Sequence, residues 1–358
     1  MLATPLALAV VGCARSVTVA PRLYADGLSF LPEDMKDIST SRIGAMICDV
    51  SQVEEVKDPD GTPRYLRTFA RNDTAIDAAI ALVSARSDVF IAKRGTEIGT
   101  RAGCAAFFQF QSCETIGSDL SRIERFHTKG LRVLQFTHHN NNLFAGGCLE
   151  VKPSGLTAIG IDGLVEMNRL RVLPDVSHGS EATMLEAAER STTPIIYSHG
   201  ACRAIVDHPR CISDKAIRAI ASRGGTVGTF MMSFWLTTKA VPTPDHFIAH
   251  LRHVAKVGGI DAVTIANDFP MAGQTNLVNL GNNNAEGVKE YLPWWQAMRA
   301  LGLPGFAKDP EHVVIPEFNR IERMMLIERL LEKDGFTALE VDKIMGRNLA
   351  RVLTDVLG

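Results

Sequence analysis

The sequence predicts a single (β/α)8 barrel (TIM barrel) with a C-terminal helical cap. Eight short apolar segments alternate along the chain with segments of helical periodicity. Two of the predicted strands are followed within three residues by a histidine, His178 or His199. Parallel strands of such barrels present side chains at their carboxyl ends. The length of 358 residues and the 46% hydrophobic content suffice for one barrel of this class.

The predicted strands are short apolar runs that end at polar residues. They are Arg22–Ala25, Gly44–Cys48, Cys104–Phe110, Arg132–Phe136, Val172–Asp175, Pro194–Tyr197, Thr226–Phe230 and Ala262–Ala266. A further short strand, Val89–Ala92, is predicted near the barrel rim. The order of strands and helices favours one domain, residues 22–358, over two.

The predicted helices between these strands each have one apolar face, and several follow a Ser, Thr or Asp that can cap the first turn. They are Asp73–Ser87, Leu120–Lys129, Gly160–Arg169, Glu181–Arg190, Asp214–Ser222 and Pro244–Val257. After the eighth strand, the Asn- and Gly-rich segment Gln274–Asn284 predicts a long loop. Three amphipathic segments then predict the helical cap: Ile315–Lys333, Thr337–Met345 and Arg347–Leu357.

Residues 1–21 are predicted to be an N-terminal leader. The apolar run Leu6–Val11, followed by Gly12-Cys13, is similar to a bacterial lipoprotein cleavage site, but no Lys or Arg precedes it. Two interpretations stay open: a leader packed on the barrel of a cytoplasmic protein, which is favoured, and a processed segment of a periplasmic or lipoprotein-anchored one.

Composition excludes several classes of partner. The formal net charge is −2, from 38 basic and 40 acidic residues without a basic stripe, so nucleic acid is not an expected partner. No apolar run reaches membrane-spanning length. Seven scattered cysteines do not form a disulfide framework. Trp294 and Trp295 could line a substrate site, anchor the cap or form a homodimer contact.

Four blocks of the sequence carry a specific pattern. They are residues 155–178 (GLT, EMNRL and DVSH), residues 198–210 (SH, RA and HPR), residues 219–228 (AIA, GG and VG) and residues 346–352 (GRNLARV). Together they resemble the membrane (renal) dipeptidase family, the M19 metallopeptidases of the amidohydrolase superfamily. The resemblance runs from about Ala25 to the C-terminus and implies the same barrel.

The resemblance implies two-zinc hydrolysis of short peptides and a role for each matching residue. His178 and His199 match the two histidines that hold the second zinc, and Asp268 matches the carboxylate that handles protons. His138 and Arg203 match the histidine and arginine that grip the substrate, with His138 also placed to take part in catalysis. The neighbouring Asn140 could bind substrate by hydrogen bonding, or it could belong to a polar loop.

The first metal site of the family does not carry over. Its DGHxD motif reads Asp26 to Phe30 here, so Leu28 and Phe30 stand where the family has ligands, and neither has a donor atom. The bridging Glu falls on Gln111, a neutral amide that cannot offset the repulsion between two dications. We therefore expect no metal or one zinc ion, with Gln111 or Asp268 as the third ligand beside His178 and His199.

Three functions follow from this altered site. The favoured one is metal-independent or single-metal proton transfer, such as isomerisation, elimination or cyclisation, on a small carboxylate-bearing substrate derived from a peptide or amino acid. The alternatives are a dipeptidase that works with one zinc and a non-catalytic small-molecule binding protein. Replacement of donor side chains by Leu28 and Phe30 should desolvate the site and raise the pKa of Asp268.

Overall fold

The computed structural model describes residues 21–57, 59, 61, 63–231 and 234–358. The predicted leader lies outside the described residues, except for Pro21. Its role therefore stays a prediction.

The described strands form a nearly closed parallel barrel and one small hairpin. They are β1 Tyr24–Ser29, β2 Ile43–Asp49, β3 Glu54–Lys57, β4 Pro63–Leu66, β5 Val89–Ile91, β6 Cys104–Phe110, β7 Leu131–Gln135, β8 Leu173–Asp175, β9 Ile196–Gly200, β10 Thr226–Phe230 and β11 Val263–Ala266. Eight of them pair in the order β1-β2-β6-β7-β8-β9-β10-β11, all parallel, while β5 adds to β6. The (β/α)8 prediction is confirmed.

The barrel closes between its first and last strands through residues just after β11. The amide of Asn267 donates to the Asp26 carboxylate at 2.8 Å, and the amide of Asp268 donates to the Leu28 carbonyl at 3.0 Å. These bonds bring Asp268 to the carboxyl end of β1, where active sites of this architecture lie.

Helices cover the outside of the barrel. They are α1 Lys36–Ser41, α2 Phe69–Ser84, α3 Ser121–Lys129, α4 Ala158–Leu170, α5 Glu181–Arg190, α6 Asp214–Ala221, α7 Pro244–Gly258, α8 Thr275–Asn279, α9 Asn284–Ala300, α10 Arg323–Lys333, α11 Ala338–Asp342 and α12 Asn348–Leu357. Side chains of Thr157, Ser180 and Ser213 accept N–H groups of the following first turns, as the capping pattern predicts. Among the described helices, none is both long enough and apolar enough to span a bilayer.

Three segments differ from the sequence prediction. The hairpin β3–β4 is largely exposed, so its residues lack the apolar alternation that marks a strand. The predicted loop at 274–284 contains α8, and the tryptophan segment after it forms α9. The predicted cap helix at 315–333 begins only at Arg323, because a separate 3-10 turn, Pro316–Phe318, precedes it.

The amino end of the barrel is sealed by α12. Inward-facing residues near the starts of the strands form one buried cluster with five apolar side chains of this helix: Leu349, Val352, Leu353, Val356 and Leu357. The opposite, carboxyl end therefore remains as the opening of the barrel.

Truncation of this seal gives a stability prediction. Leu353 is fully buried, so Leu353→Ala should leave a cavity and lower the free energy of unfolding by about 2–5 kcal/mol. The matched control Leu339→Ala, at a leucine 62% exposed in α11, should change it by less than about 0.5 kcal/mol. Urea unfolding followed by circular dichroism measures both. Equal effects would contradict the sealing role of α12.

Candidate active site

The carboxyl ends of four barrel strands bring the predicted site residues together. His138 and His139 follow β7, His178 follows β8, His199 ends β9 and Asp268 follows β11. Three of them have left-handed backbones, with φ of 68° at His139, 62° at His178 and 57° at Asp268. Non-glycine residues adopt this conformation at a cost that surrounding structure must offset, and such residues cluster at functional sites.

Four imidazoles form one contiguous cluster around His178. The Nε2 atom of His178 lies 2.8 Å from Nε2 of His199, and its Nδ1 atom lies 3.1 Å from Nδ1 of His139. The ring of His138 stacks on that of His178, with centroids 4.4 Å apart and planes 18° apart. His138, His139 and His178 each offer one nitrogen, and these nitrogens lie within 4.8 Å of one another.

A buried carboxylate sets the tautomers of this cluster. The Ser198 hydroxyl donates its proton to the Asp175 carboxylate at 2.5 Å. The Nδ1 atom of His199 lies 2.7 Å from the Ser198 hydroxyl oxygen. Because that hydroxyl proton is already donated to Asp175, Nδ1 of His199 is the donor to the serine oxygen. The Nε2 atom of His199 is then a lone pair that accepts from His178. The Nδ1 atom of His178 in turn accepts from His139. All three rings are thus held in defined neutral tautomers.

Burial keeps the imidazoles uncharged. It lowers the pKa of His138, His139, His178 and His199 well below the usual histidine value, and the positive charge of Arg210 lowers each pKa further. Neutral imidazoles with free lone pairs are the form that binds divalent metals.

A cavity of about 360 Å³ opens onto the cluster. Its polar lining consists of Gln111, His138, His139, His178, Arg210 and Asp268. Its aromatic lining consists of Phe230, Phe234, Trp235, Tyr291 and Trp294. Of the two adjacent tryptophans Trp294 and Trp295, the first lines this cavity. The second lines a neighbouring cavity, and its indole N–H donates to the Lys308 carbonyl at 2.7 Å.

Arg210 and Asp268 place opposite charges in the cavity. The guanidinium of Arg210 donates to the Tyr197 hydroxyl at 2.7 Å and to the His199 carbonyl at 3.0 Å, while its buried Nε–H has no hydrogen-bond partner among the described residues. Burial raises the pKa of Asp268 to about 7, although Arg210 partly offsets the rise. Both protonation states of Asp268 are therefore populated near neutral pH.

Two of the predicted substrate-binding residues lie elsewhere. Arg203 is ion-paired with Glu181 at 3.6 Å, donates to the Pro209 carbonyl and lines a separate cavity. Asn140 is exposed and is not part of the lining of the histidine cavity. The arginine in the cavity is Arg210, which the HPR part of the second sequence block contains.

Leu28, Phe30 and Gln111, which stand at the positions of the family's other metal ligands, lie near the carboxyl ends of β1 and β6. Leu28 is fully buried in β1, and Phe30 lines a different cavity together with Asp49. Gln111 lines the histidine cavity, and its side-chain amide hydrogen-bonds to Asp49. Burial raises the pKa of Asp49, and the hydrogen bond from Gln111 offsets part of this rise. His139, the neighbour of His138 in the sequence, joins the cluster directly.

Comparison with known proteins identifies the family. Residues 30–290 match the family model for membrane dipeptidase (peptidase family M19). The chain belongs to the M19 membrane dipeptidase family. Among curated relatives, Dipeptidase verJ of Clonostachys rogersoniana is 30% identical over 281 residues, and Dipeptidase tcpJ of Claviceps purpurea is 27% identical over 259 residues. The matches cover 77% and 71% of this chain but only 60% and 51% of the two relatives.

Solved structures show that this M19 chain shares their fold. An amidohydrolase from Pseudomonas aeruginosa matches with a TM-score of 0.76 and 24% identity, over 94% of this chain and 97% of its own. A metallopeptidase from Rhodobacter sphaeroides, liganded with a phosphinate mimic of the dipeptide L-Ala-D-Ala, matches with a TM-score of 0.70 and 17% identity, over 94% and 99%. The predicted resemblance to the M19 family and the (β/α)8 fold are confirmed.

Proposed function

We propose that this M19 chain catalyses acid/base chemistry on a small carboxylate-bearing substrate derived from a peptide or amino acid, with one metal ion at most. The observation that supports this most directly is the uneven supply of donor atoms at the strand ends. Three imidazoles line the cavity and that of His199 contacts them, whereas the positions matching the family's other metal ligands are Leu28 and Phe30, which offer no donor atoms and lie outside the cavity lining.

The imidazole cluster fits one zinc ion. Zinc accepts nitrogen ligands, and three of them with one open position is a common catalytic arrangement. His138, His139 and His178 each offer one nitrogen, and these nitrogens lie within 4.8 Å of one another. A zinc ion bound there would replace the hydrogen bonds that join His178 to His199 and to His139, because it would take their acceptor lone pairs. His178 belongs both to this set and to the His178–His199 pair expected from the sequence. A zinc ion held here would polarise a substrate carbonyl.

The remaining residues bind the substrate and move a proton. Arg210, which lines the cavity, offers its positive charge to a substrate carboxylate. Asp268, with a pKa of about 7, can take a proton from the substrate and return it. The aromatic lining excludes water and packs against the apolar part of the substrate. This combination supports isomerisation, elimination or cyclisation.

A second candidate function is hydrolysis of short peptides with one zinc ion. Membership of the M19 family favours it, because the relatives verJ and tcpJ are named dipeptidases.

Metal content and a substrate panel test the proposal. We expect protein purified without chelator to contain at most one equivalent of zinc per chain by mass spectrometry, because the described donors suit one ion. We also expect turnover without hydrolysis when a panel of dipeptides and other small carboxylates derived from amino acids is followed by NMR, with or without added zinc. Two equivalents of zinc would overturn the proposal. Dipeptide hydrolysis with one equivalent would establish the second candidate, and ligand binding without turnover of any panel member would indicate a binding protein.

A further inference from the structure

A separate cavity, of about 400 Å³, lies beside the sealing helix α12, at the end of the barrel opposite the histidine cavity. Leu357 of α12 and Leu170 of α4 form the apolar part of its lining. Four other lining residues are positively charged at neutral pH: Lys93, Arg94, Arg132 and Arg171. They come from three separate parts of the chain, so the fold itself brings these four charges together.

The four charges lack carboxylate partners among the described residues. Glu97 is the one carboxylate in the lining, and it accepts the backbone amides of Lys93 at 2.6 Å and of Arg94 at 2.8 Å. Its ion-pair partner is Arg101, at 3.7 Å, which lies outside the lining. None of the four lining cations makes an ion pair within the described part of the chain. Four positive charges therefore face one negative charge, an excess that attracts anions.

Arg132 is the buried member of this group, only 7% exposed near the start of β7. Its Nε–H donates to the Lys93 carbonyl at 2.9 Å, and its Nη1 atom donates to the carbonyls of His127 at 2.8 Å and Leu131 at 2.7 Å. Its Nη2 atom has no acceptor among the described residues, yet protein does not enclose it, so it reaches the open space of the cavity. Unused donors of a buried cation are costly unless a ligand or water accepts them.

Neutralisation of helix ends does not account for all of these cations. Helices α3 and α4 end at the cavity, with His127 in the last turn of α3 and Arg171 as the C-cap of α4. Positive charge near such carboxyl ends is favourable. Arg132 donates to a carbonyl of α3, but the side chains of Lys93 and Arg171 make no hydrogen bond to any described residue. Their donors are therefore available to a ligand.

We propose that this cavity binds a small anion of the phosphate class, either inorganic phosphate or a phosphate monoester. Arg132 supplies a charge-assisted donor whose position is fixed by its three bonds to carbonyls, and the exposed Lys93 and Arg171 supply further charge. A phosphate group carries about two negative charges at neutral pH and several acceptor oxygens, so it suits several separate cations better than one carboxylate does. The site lies at the other end of the barrel from the chemistry proposed above and does not depend on it.

Titration with inorganic phosphate tests this site. Calorimetry at constant ionic strength should show saturable binding of one phosphate per chain. Phosphate should also raise the Tm, because only the folded chain forms the site. Acetate, which carries a single charge, should bind at least about tenfold more weakly.

Three variants of lining residues should change the affinity for phosphate in different directions. Arg132→Gln should weaken binding by about tenfold or more, because a buried charge-assisted hydrogen bond is lost. Lys93→Gln should weaken it by about two- to fivefold, because it removes an exposed charge. Glu97→Gln should strengthen it, because it removes the opposing charge while its amide oxygen still accepts the amides of Lys93 and Arg94.

Two control variants exclude binding elsewhere on the molecule. Arg190→Gln, at an exposed arginine of α5 outside the lining, should change the Kd for phosphate by less than about twofold. Arg210→Gln, in the histidine cavity, should also leave this Kd unchanged. A loss in Arg210→Gln instead of Arg132→Gln would place phosphate in the histidine cavity and overturn the inference.

Other results would also overturn it. They are an equal loss in Arg190→Gln, unchanged affinity in both Arg132→Gln and Lys93→Gln, and the absence of saturable binding below about 10 mM phosphate. Thermal unfolding without phosphate shows whether each variant is folded. If Arg132→Gln is unfolded, the opposite effects expected of Lys93→Gln and Glu97→Gln, whose side chains are not fully buried, decide the question.

Discussion

Asp268→Asn should lower kcat/KM by about 10²–10⁴-fold, the usual contribution of a positioned general acid or base. The amide cannot exchange a proton, yet it has nearly the same shape, so the Kd of a phosphinate dipeptide mimic should change little. The surface variant Asp162→Asn, on an exposed residue of α4, should keep full activity. Steady-state kinetics on the substrate found by the panel measures the effect. Full activity in Asp268→Asn would remove Asp268 from the mechanism.

The same substitution should change how activity and stability depend on pH. If Asp268 acts as a base, kcat/KM should rise with pH up to a plateau above about pH 7, where the carboxylate is ionised. Its raised pKa means that the folded state holds this proton more tightly than the unfolded chain, so the group lowers stability progressively as pH rises from about 4 to 7. Asp268→Asn removes this penalty and should raise the Tm at pH 8 but not at pH 3.5.

His178→Asn should abolish tight zinc binding. His178 contacts the other three imidazoles, at 2.8 Å from His199, 3.1 Å from His139 and 4.4 Å between the rings of His178 and His138. Its loss therefore removes one ligand and the contacts that orient the others. Loss of an orienting contact alone typically weakens metal affinity by about 10–100-fold. Equilibrium dialysis with zinc should show at least about a hundredfold weaker binding. Asparagine is chosen because it tolerates the left-handed backbone at this position.

The control for this experiment lies at the other end of the barrel. His127 lines a cavity beside Leu357 of α12, far along the barrel from the imidazole cluster, so His127→Ala should leave zinc affinity unchanged. An equal loss in both variants would point to general unfolding. Tight zinc binding retained in His178→Asn would show that the metal site does not include His178.

Much of the fold was predictable because parallel strands that are buried on both faces consist of short runs of apolar residues. The segments at β6, β7 and β10 were placed to within two residues for this reason. The hairpin β3–β4 could not be predicted, because both of its strands are solvent-exposed and lack a hydrophobic pattern.

The site residues were predictable where a sequence motif showed which residue directly follows a strand. His178, His199 and Asp268 follow strands directly, and the structure brings the first two into contact. Arg203 and Arg210 both belong to the second block, and only the turn at His208-Pro209 decides which of them faces the cavity. His139 adjoins His138 in sequence, but its contact with His178 depends on a positive φ that residue type alone does not specify.

The closure between Asp26 and Asn267 has a consequence for how the chain reaches its native state. These partners are 241 residues apart in sequence, so the entropy of joining them is lost late, after most local contacts have formed. Until then, β1 and β11 are open sheet edges that can pair with other chains. Refolding from denaturant should therefore be slow and increasingly prone to aggregation as protein concentration rises, and dilute or chaperone-assisted conditions should give the best recovery.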